Sequence, residues 1–120
     1  MAANPIVLGN TGPLARPRGR ADAGLSMVVP VYNEAGNLPG LHTRIVEVAT
    51  ALRNSRRLVT EVIYVDDGSR DDTLAVARGL SADALDVQVI SLSRNFGKEA
   101  ALLAGLDHLA GLNREMLVSR

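Results

Sequence analysis

The 120-residue chain has no cysteine and no tryptophan, and a single lysine, Lys98, against twelve arginines. Without cysteine there is no disulfide, no thiolate metal site and no cysteine nucleophile, a composition that fits a cytoplasmic protein. There is no excess of either charge: thirteen basic residues face thirteen acidic ones. A general nucleic-acid or anionic-membrane surface needs a basic surplus, so no nucleic-acid partner is expected. No apolar run approaches the ~20 residues that span a bilayer, and Ile6-Val-Leu8 is too short for a signal-peptide core. The chain therefore reads as having no transmembrane segment. No G-x-G-x-x-G follows a strand and there is no P-loop lysine motif, so dinucleotide and P-loop binding are set aside.

What is present is a core-forming chain. Hydrophobic residues make up 47% of it, enough for one packed domain. Residues 1–24 carry Pro5, Pro13, Pro17, four glycines and three arginines without a helical or strand period. They read as a flexible, mildly basic N-terminal tail. From Leu25 the pattern changes. Leu25–Val31 reads as a buried strand, and residues 38–53 as an amphipathic helix opened by Asn37 and Pro39. Leu38, Leu41, Ile45, Val48, Ala49 and Leu52 supply its apolar positions. Glu61–Val65 reads as a second strand and residues 72–81 as a short helix capped by Asp71 or Ser69. Val87–Leu92 reads as a third strand. Residues 98–110 read as a third helix with Ala100, Leu103, Ala104 and Leu106 inward. Strand–helix alternation with short loops predicts an α/β fold on a parallel sheet of three to four strands.

Ligands of open parallel sheets bind at the carboxyl ends of the strands. Those ends are Val31–Asn37, Asp66–Arg70 and Ser93–Lys98, the richest polar segments of the chain. Glu34, Asp66 and Asp67 can accept hydrogen bonds from ribose hydroxyls or a pyrimidine N–H. Base and ribose are therefore expected over Asp66 and Asp67. The phosphates should lie further along, neutralised by a metal or by Arg94 and Lys98. Each residue alone also has a plain reading. Asp67 and Ser69 can form an ordinary turn with Gly68 at positive φ. Asn33 can be a loop residue, Tyr32 a lid on the core, and Lys98 and Glu99 a solvated helix start. His42 and His108 sit on helices without partner ligands and are read as having no catalytic role. The functional case is the concurrence of three loops on one rim.

Those loops carry a resemblance. Val28-Val-Pro-Val-Tyr-Asn-Glu34 and Tyr64-Val-Asp-Asp-Gly-Ser-Arg-Asp-Asp-Thr73 resemble the first two strand signatures of family 2 glycosyltransferases. Ser93-Arg-Asn-Phe-Gly-Lys-Glu-Ala-Ala-Leu102 is similar to the subset that transfers sugars to polyprenyl phosphates, such as dolichyl-phosphate mannose synthases. The resemblance covers residues 25–110. It implies the Rossmann-like, three-layer nucleotide-binding half of a GT-A fold, a UDP- or GDP-sugar donor, and inversion at the anomeric carbon. It implies nucleotide-sugar contacts from Pro30, Tyr32, Asn33, Glu34, Asp66, Asp67, Gly68, Ser69, Asn95 and Lys98, with Gly97 in the same loop. It also implies Mg2+ or Mn2+ held by an Asp-x-Asp after a fourth strand, a polyprenyl-phosphate acceptor, and a site at the cytoplasmic face of the membrane.

The expected aspartates fall near positions 118 and 120, where the chain has Val118 and Arg120. Residues 25–120 thus read as an incomplete family 2 domain, truncated before its metal ligands and catalytic base. No catalytic residue is expected within it, and the isolated chain is expected to lack useful transferase activity. The missing strand is expected to leave one edge of the strand holding Met27–Val29 open. Two other readings stand beside this one: a non-catalytic nucleotide-binding or interaction remnant, and a signalling receiver domain. The receiver places its acidic pair after the first strand, whereas here the pair follows the second.

Overall fold

The computed structural model of the protein describes residues 6–10 and 24–112. The chain order is β1 (Ile6–Asn10), β2 (Leu25–Val31), α1 (Leu38–Arg56), β3 (Thr60–Asp66), α2 (Thr73–Arg78), β4 (Asp86–Ser91) and α3 (Lys98–Leu112). The described strands form one sheet in the order β1-β4-β3-β2. β2, β3 and β4 run parallel, joined by helical crossovers as the alternation predicts. Among the described strands β2 is terminal. The reading of Val118 and Arg120 falls outside the described residues.

β3 is the centre of the core. Val62, Ile63, Tyr64 and Val65 are all fully buried, and burying such side chains contributes about 1.5–3 kcal/mol each. Strand alternation divides them between two faces. Val62 and Tyr64 pack with Val87 and Val89 of β4 against Leu38, Ile45 and Ala49 of α1 and Ala77 of α2. Ile63 and Val65 pack with Ile90, Leu92 and Ala101 under α3. Helices on both faces of the sheet make the three-layer arrangement expected of the GT-A nucleotide-binding half.

Three features depart from the sequence reading. First, no strand is expected before Leu25, yet Ile6–Asn10 pairs antiparallel with β4, Ile6 opposite Ser91 and Val7 opposite Ile90. Edge pairing needs only exposed backbone N–H and C=O groups, and antiparallel edges on parallel sheets are common. The partner lies some eighty residues away, so no local pattern announces it. Of the rest of that tail only Gly24 is described.

Second, the inward face of α3 is rotated from the expected one. Ala101 is fully buried and Ala104 packs on the core, while Leu103 is 60% and Leu106 46% exposed. Gly105 explains the rotation. A Cβ there would lie 2.3 Å from Cγ1 of Val28 and 3.2 Å from Cγ2 of Val65, so the helix backbone itself rests on the sheet. Small residues permit that approach; Leu102, Leu103 and Leu106 are turned outward, while Leu109 packs on the core.

Third, Leu41 and Val48 of α1 are exposed, and His42 is buried in their place. Nδ1 of His42 lies 2.7 Å from the Tyr64 hydroxyl and Nε2 lies 2.7 Å from the Ser81 carbonyl oxygen. A carbonyl only accepts, so Nε2 carries the proton and the Tyr64 hydroxyl donates to Nδ1. Both polar ends of the ring are satisfied, which is what allows a histidine in a core. The ring thereby ties α1 to β3 and to the Ser81 carbonyl. Burial pushes the Tyr64 hydroxyl well above the ordinary tyrosine pKa.

Helix boundaries shift by a few residues. α1 runs on to Arg56 and ends at Arg57 with φ +57. Asn37 occupies the N-cap of α1 as expected, but its side chain makes no capping bond. Asp71 accepts both the N–H and the hydroxyl of Thr73, which anchors the start of α2.

Candidate functional site

The parallel register brings the three strand ends into one row, with Val31 opposite Asp66 and Asp66 opposite Ser91. The loops that follow therefore leave the same rim of the sheet. Their closeness comes from hydrogen bonds that the middle loop makes in both directions.

Toward the first loop, the N–H of Asn33 donates to Ser69 Oγ at 2.8 Å, and the N–H of Arg70 donates to Asn33 Oδ1 at 2.9 Å. The N–H of Glu34 donates to Thr73 Oγ1 at 2.7 Å. Asn33 adopts φ +52 to make this exchange. Asparagine tolerates the left-handed region better than most residues.

Toward the third loop, the carboxylate of Asp67 takes three donors. The N–H of Phe96 reaches Oδ1 at 2.8 Å; the N–H of Gly97 and Nδ2 of Asn95 reach Oδ2 at 3.0 and 3.1 Å. Nδ2 of Asn95 also donates to the Asp67 carbonyl at 3.1 Å. Hydrogen bonds to an ionised acceptor are roughly twice as strong as neutral ones, and Asp67 is 3% exposed. Asp67 is thus the clamp of the third loop. Gly68 completes the join with φ +70. A Cβ on it would meet the Arg94 carbonyl carbon at 2.2 Å and the Asn95 nitrogen at 2.3 Å.

Asp66 is 2% exposed. Its Oδ2 accepts the N–H of Ser69 at 3.2 Å. Its Oδ1 has no hydrogen-bond partner.

Between the first and third loops lies an open cleft of about 410 Å³. The first loop contributes Pro30, Val31, Tyr32 and Glu34 to its wall. Asp67, Asn95, Gly97 and Lys98 form the other side. Six of the ten expected contact residues therefore line one cavity: Pro30, Tyr32, Glu34, Asp67, Asn95 and Lys98. The other four, Asn33, Asp66, Gly68 and Ser69, do not line it and hold the loops together from behind. Arg94, expected near phosphates, lies with its guanidinium carbon 4.7 Å from the Phe96 ring centroid, a cation–π stack.

Sequence reasoning missed Asp71 and Thr73 as parts of this framework. Their signal was present in the Asp71-Asp-Thr73 end of the second motif. The Thr73 hydroxyl, and after it the Thr73 N–H, hold the Asp71 carboxyl below the usual carboxylate range.

The cleft offers a flat aromatic ring, two carboxylates, an amide and one ammonium. Carboxylates and amide suit hydroxyl and N–H groups, and the ammonium suits an anion. Among the described residues no three histidine, aspartate or glutamate side chains converge, and the Asp67 oxygens already face three donors.

Comparison with known proteins places the site in a family. Residues 26–111 match the family model for glycosyl transferase family 2, so the chain belongs to that family. An uncharacterized glycosyltransferase of Synechocystis is 44% identical over 87 residues, 72% of this chain and 26% of the relative. A bactoprenol glucosyl transferase of Shigella phage SfV is 37% identical over 72% of this chain and 27% of its own length. An undecaprenyl-phosphate 4-deoxy-4-formamido-L-arabinose transferase of Sodalis glossinidius is 38% identical over 72% of this chain and 26% of its own length. The chain spans about a quarter of the length of the curated relatives it matches.

Proposed function

We propose that residues 25–110 form the donor-nucleotide half of a glycosyltransferase that moves a sugar from a UDP- or GDP-sugar to a polyprenyl phosphate at the cytoplasmic face of a membrane. The observation that carries the donor part is the cleft itself. Tyr32, Glu34, Asp67, Asn95 and Lys98 come from three separate loops and line one cavity. In this reading the base and ribose lie against Pro30, Tyr32, Glu34 and the wall held by Asp67. The diphosphate lies toward Lys98, the one cation among the cleft-lining residues. Asp66 and Ser69 act from behind, as supports. The polyprenyl acceptor is supported by the names of the phage and Sodalis relatives. No described helix is long and apolar enough to cross a membrane.

The test is a titration of the 120-residue chain with UDP and with GDP, followed by backbone amide chemical shifts. Saturable shifts confined to residues 30–34, 66–69 and 95–98 are expected, with one nucleotide preferred. Lys98→Gln should weaken the diphosphate about tenfold, the cost of one charge-assisted hydrogen bond, and leave the nucleoside alone unaffected. Shifts spread over the surface, or equal binding of the variant, would remove the proposal.

A further inference from the structure

Apart from Tyr32, which lines the cleft, the exposed large apolar residues among those described are Leu25, Leu41, Val48, Leu102, Leu103 and Leu106. They gather at one edge of the sheet. On α3, Gly105 rests over Val28 of β2 and Val65 of β3, while Nε2 of His108 lies 3.0 Å from Oε1 of Gln88 on β4. At 3.6 residues per turn, Leu102 and Leu106 stand about 120–160° round the helix from His108, across the inward Ala101 and Gly105. They therefore overhang β2 on the side away from β4. On the other face, His42 of α1 reaches Ser81, beyond α2. Leu41 and Val48 lie about 100–120° round from His42, across the inward Ile45 and Ala49, again on the β2 side. Leu25 shares that face with Met27 and Val29 by strand alternation.

The backbone of β2 completes the edge. The Leu25 N–H donates to the Val59 carbonyl, and the Val31 carbonyl accepts the Asp67 N–H. Odd-numbered residues of β2 thus bond toward β3, and Ser26, Val28 and Pro30 turn their backbone groups outward. No described strand pairs with them. Pro30 has no N–H, so the outward donors are those of Ser26 and Val28.

We infer that this edge pairs with the same edge of a second copy of the chain, β2 antiparallel to β2, about a two-fold axis beside Val28. The inference does not depend on the donor reading. In this register each Val28 N–H donates to the partner's Val28 carbonyl, and each Ser26 N–H to the partner's Pro30 carbonyl. Every outward donor is used, and the missing N–H of Pro30 leaves only the Ser26 carbonyl to water. Helix spacing agrees. Because α3 rests on both β2 and β3, its axis lies about half a strand spacing inside β2, and the two-fold about half a spacing outside. The two α3 helices then run side by side about 10 Å apart, within the range for packed helices. Leu102 of each copy meets the partner's Leu106. The six apolar side chains expose on the order of 500 Å² per copy, against ~800 Å² per partner in a standard interface. Strand backbone and helix flanks supply the remainder. A lone strand would satisfy the backbone yet leave the outer sides of the leucines in water, whereas a second copy brings a strand and two helices together. The two β2 strands point in opposite directions, so the two clefts lie at opposite ends of the pair.

The test is sedimentation equilibrium of the whole chain over about a hundredfold concentration range, with amide hydrogen exchange at both ends of it. A monomer–dimer equilibrium is expected, with the Ser26 and Val28 amides slow in the dimer and fast on dilution. Leu106→Glu alters an exposed position and places two charges in the interface, so it should raise the dimer dissociation constant about a hundredfold or more. Its amide spectrum should stay dispersed. Ala75→Glu, on the exposed side of α2, should leave the dissociation constant unchanged. Mixing a Leu102→Glu, Leu106→Glu double variant with a Leu102→Lys, Leu106→Lys double variant should restore association as a heterodimer, because the two-fold sets 102 against 106.

A chain that stays monomeric throughout overturns the inference. So does concentration-independent protection of Ser26 and Val28, which would assign the edge to residues of the same chain. A dimer that survives Leu106→Glu, or complementary variants that fail to associate on mixing, would place the contact elsewhere on the surface.

Discussion

Gly68 faces the backbone nitrogen of Asn95 with no room for a side chain: a Cβ on Gly68 would lie 2.3 Å from it. Two loops from neighbouring strands meet backbone to backbone here, at φ +70. Gly68→Ala should lower unfolding free energy by about 2 kcal/mol or more, combining the left-handed penalty with displacement of the third loop. UDP affinity should fall with it. Gly36→Ala is the control, since a Cβ at Gly36 meets nothing within 4 Å. Urea unfolding of both variants decides the matter; equal stability would sink the close-contact argument.

Asp67 supplies the second prediction. Asp67→Asn preserves size but places an amide NH2 where N–H donors converge. The expected loss is about 3 kcal/mol of stability, from charge-assisted hydrogen bonds broken in a buried site. Amide hydrogen exchange at Phe96 and Gly97 should accelerate well beyond that of β3. Unchanged exchange at those two amides would show that the third loop holds itself.

These two residues also show what was legible in the sequence. Asp67 and Gly68 stand out in a strand-exit motif, and their place at the sheet rim follows from the strand–helix alternation. Their work is not local, however. The donors that Asp67 binds lie some thirty residues on, so the motif identifies the residue but not whether its carboxylate faces a ligand or another loop. The same limit explains α3. Its apolar residues surround most of the helix, so spacing alone does not select the inward stripe. The contact of Gly105 with Val28 selects it. β1 was least legible because pairing with β4 uses backbone groups that every sequence provides.

The third prediction concerns that contact. Gly105→Ala forces a methyl group to 2.3 Å from Val28 Cγ1 and should cost about 1–3 kcal/mol, the range for overpacking. Val28→Ala should recover much of that loss in the double variant, since it removes the opposing methyl. A double-mutant cycle with no interaction energy would place the strain elsewhere.

The fourth prediction is a pH dependence. Asp71 is held below its ordinary value of 3.8 by the hydroxyl and N–H of Thr73. The native state therefore binds fewer protons there than the unfolded state does. The associated stability is present above about pH 4 and is lost as pH falls through the lowered native value. Asp71→Asn should flatten the stability–pH curve in that acid window and leave its slope near neutrality unchanged. Denaturant midpoints between pH 6 and pH 2.5 measure it. Parallel curves for the two proteins would rule out Asp71 as the titrating group.

The middle loop is bonded to both of its neighbours: Ser69 and Arg70 reach the first, and Asp67 reaches the third. It therefore works as a spacer whose length sets the aperture of the cleft. Substitutions at Tyr32 or Lys98 alter what the walls say to a ligand. Adding or deleting one residue between Asp66 and Ser69 would alter how far apart the walls stand, and so which ligands fit between them at all.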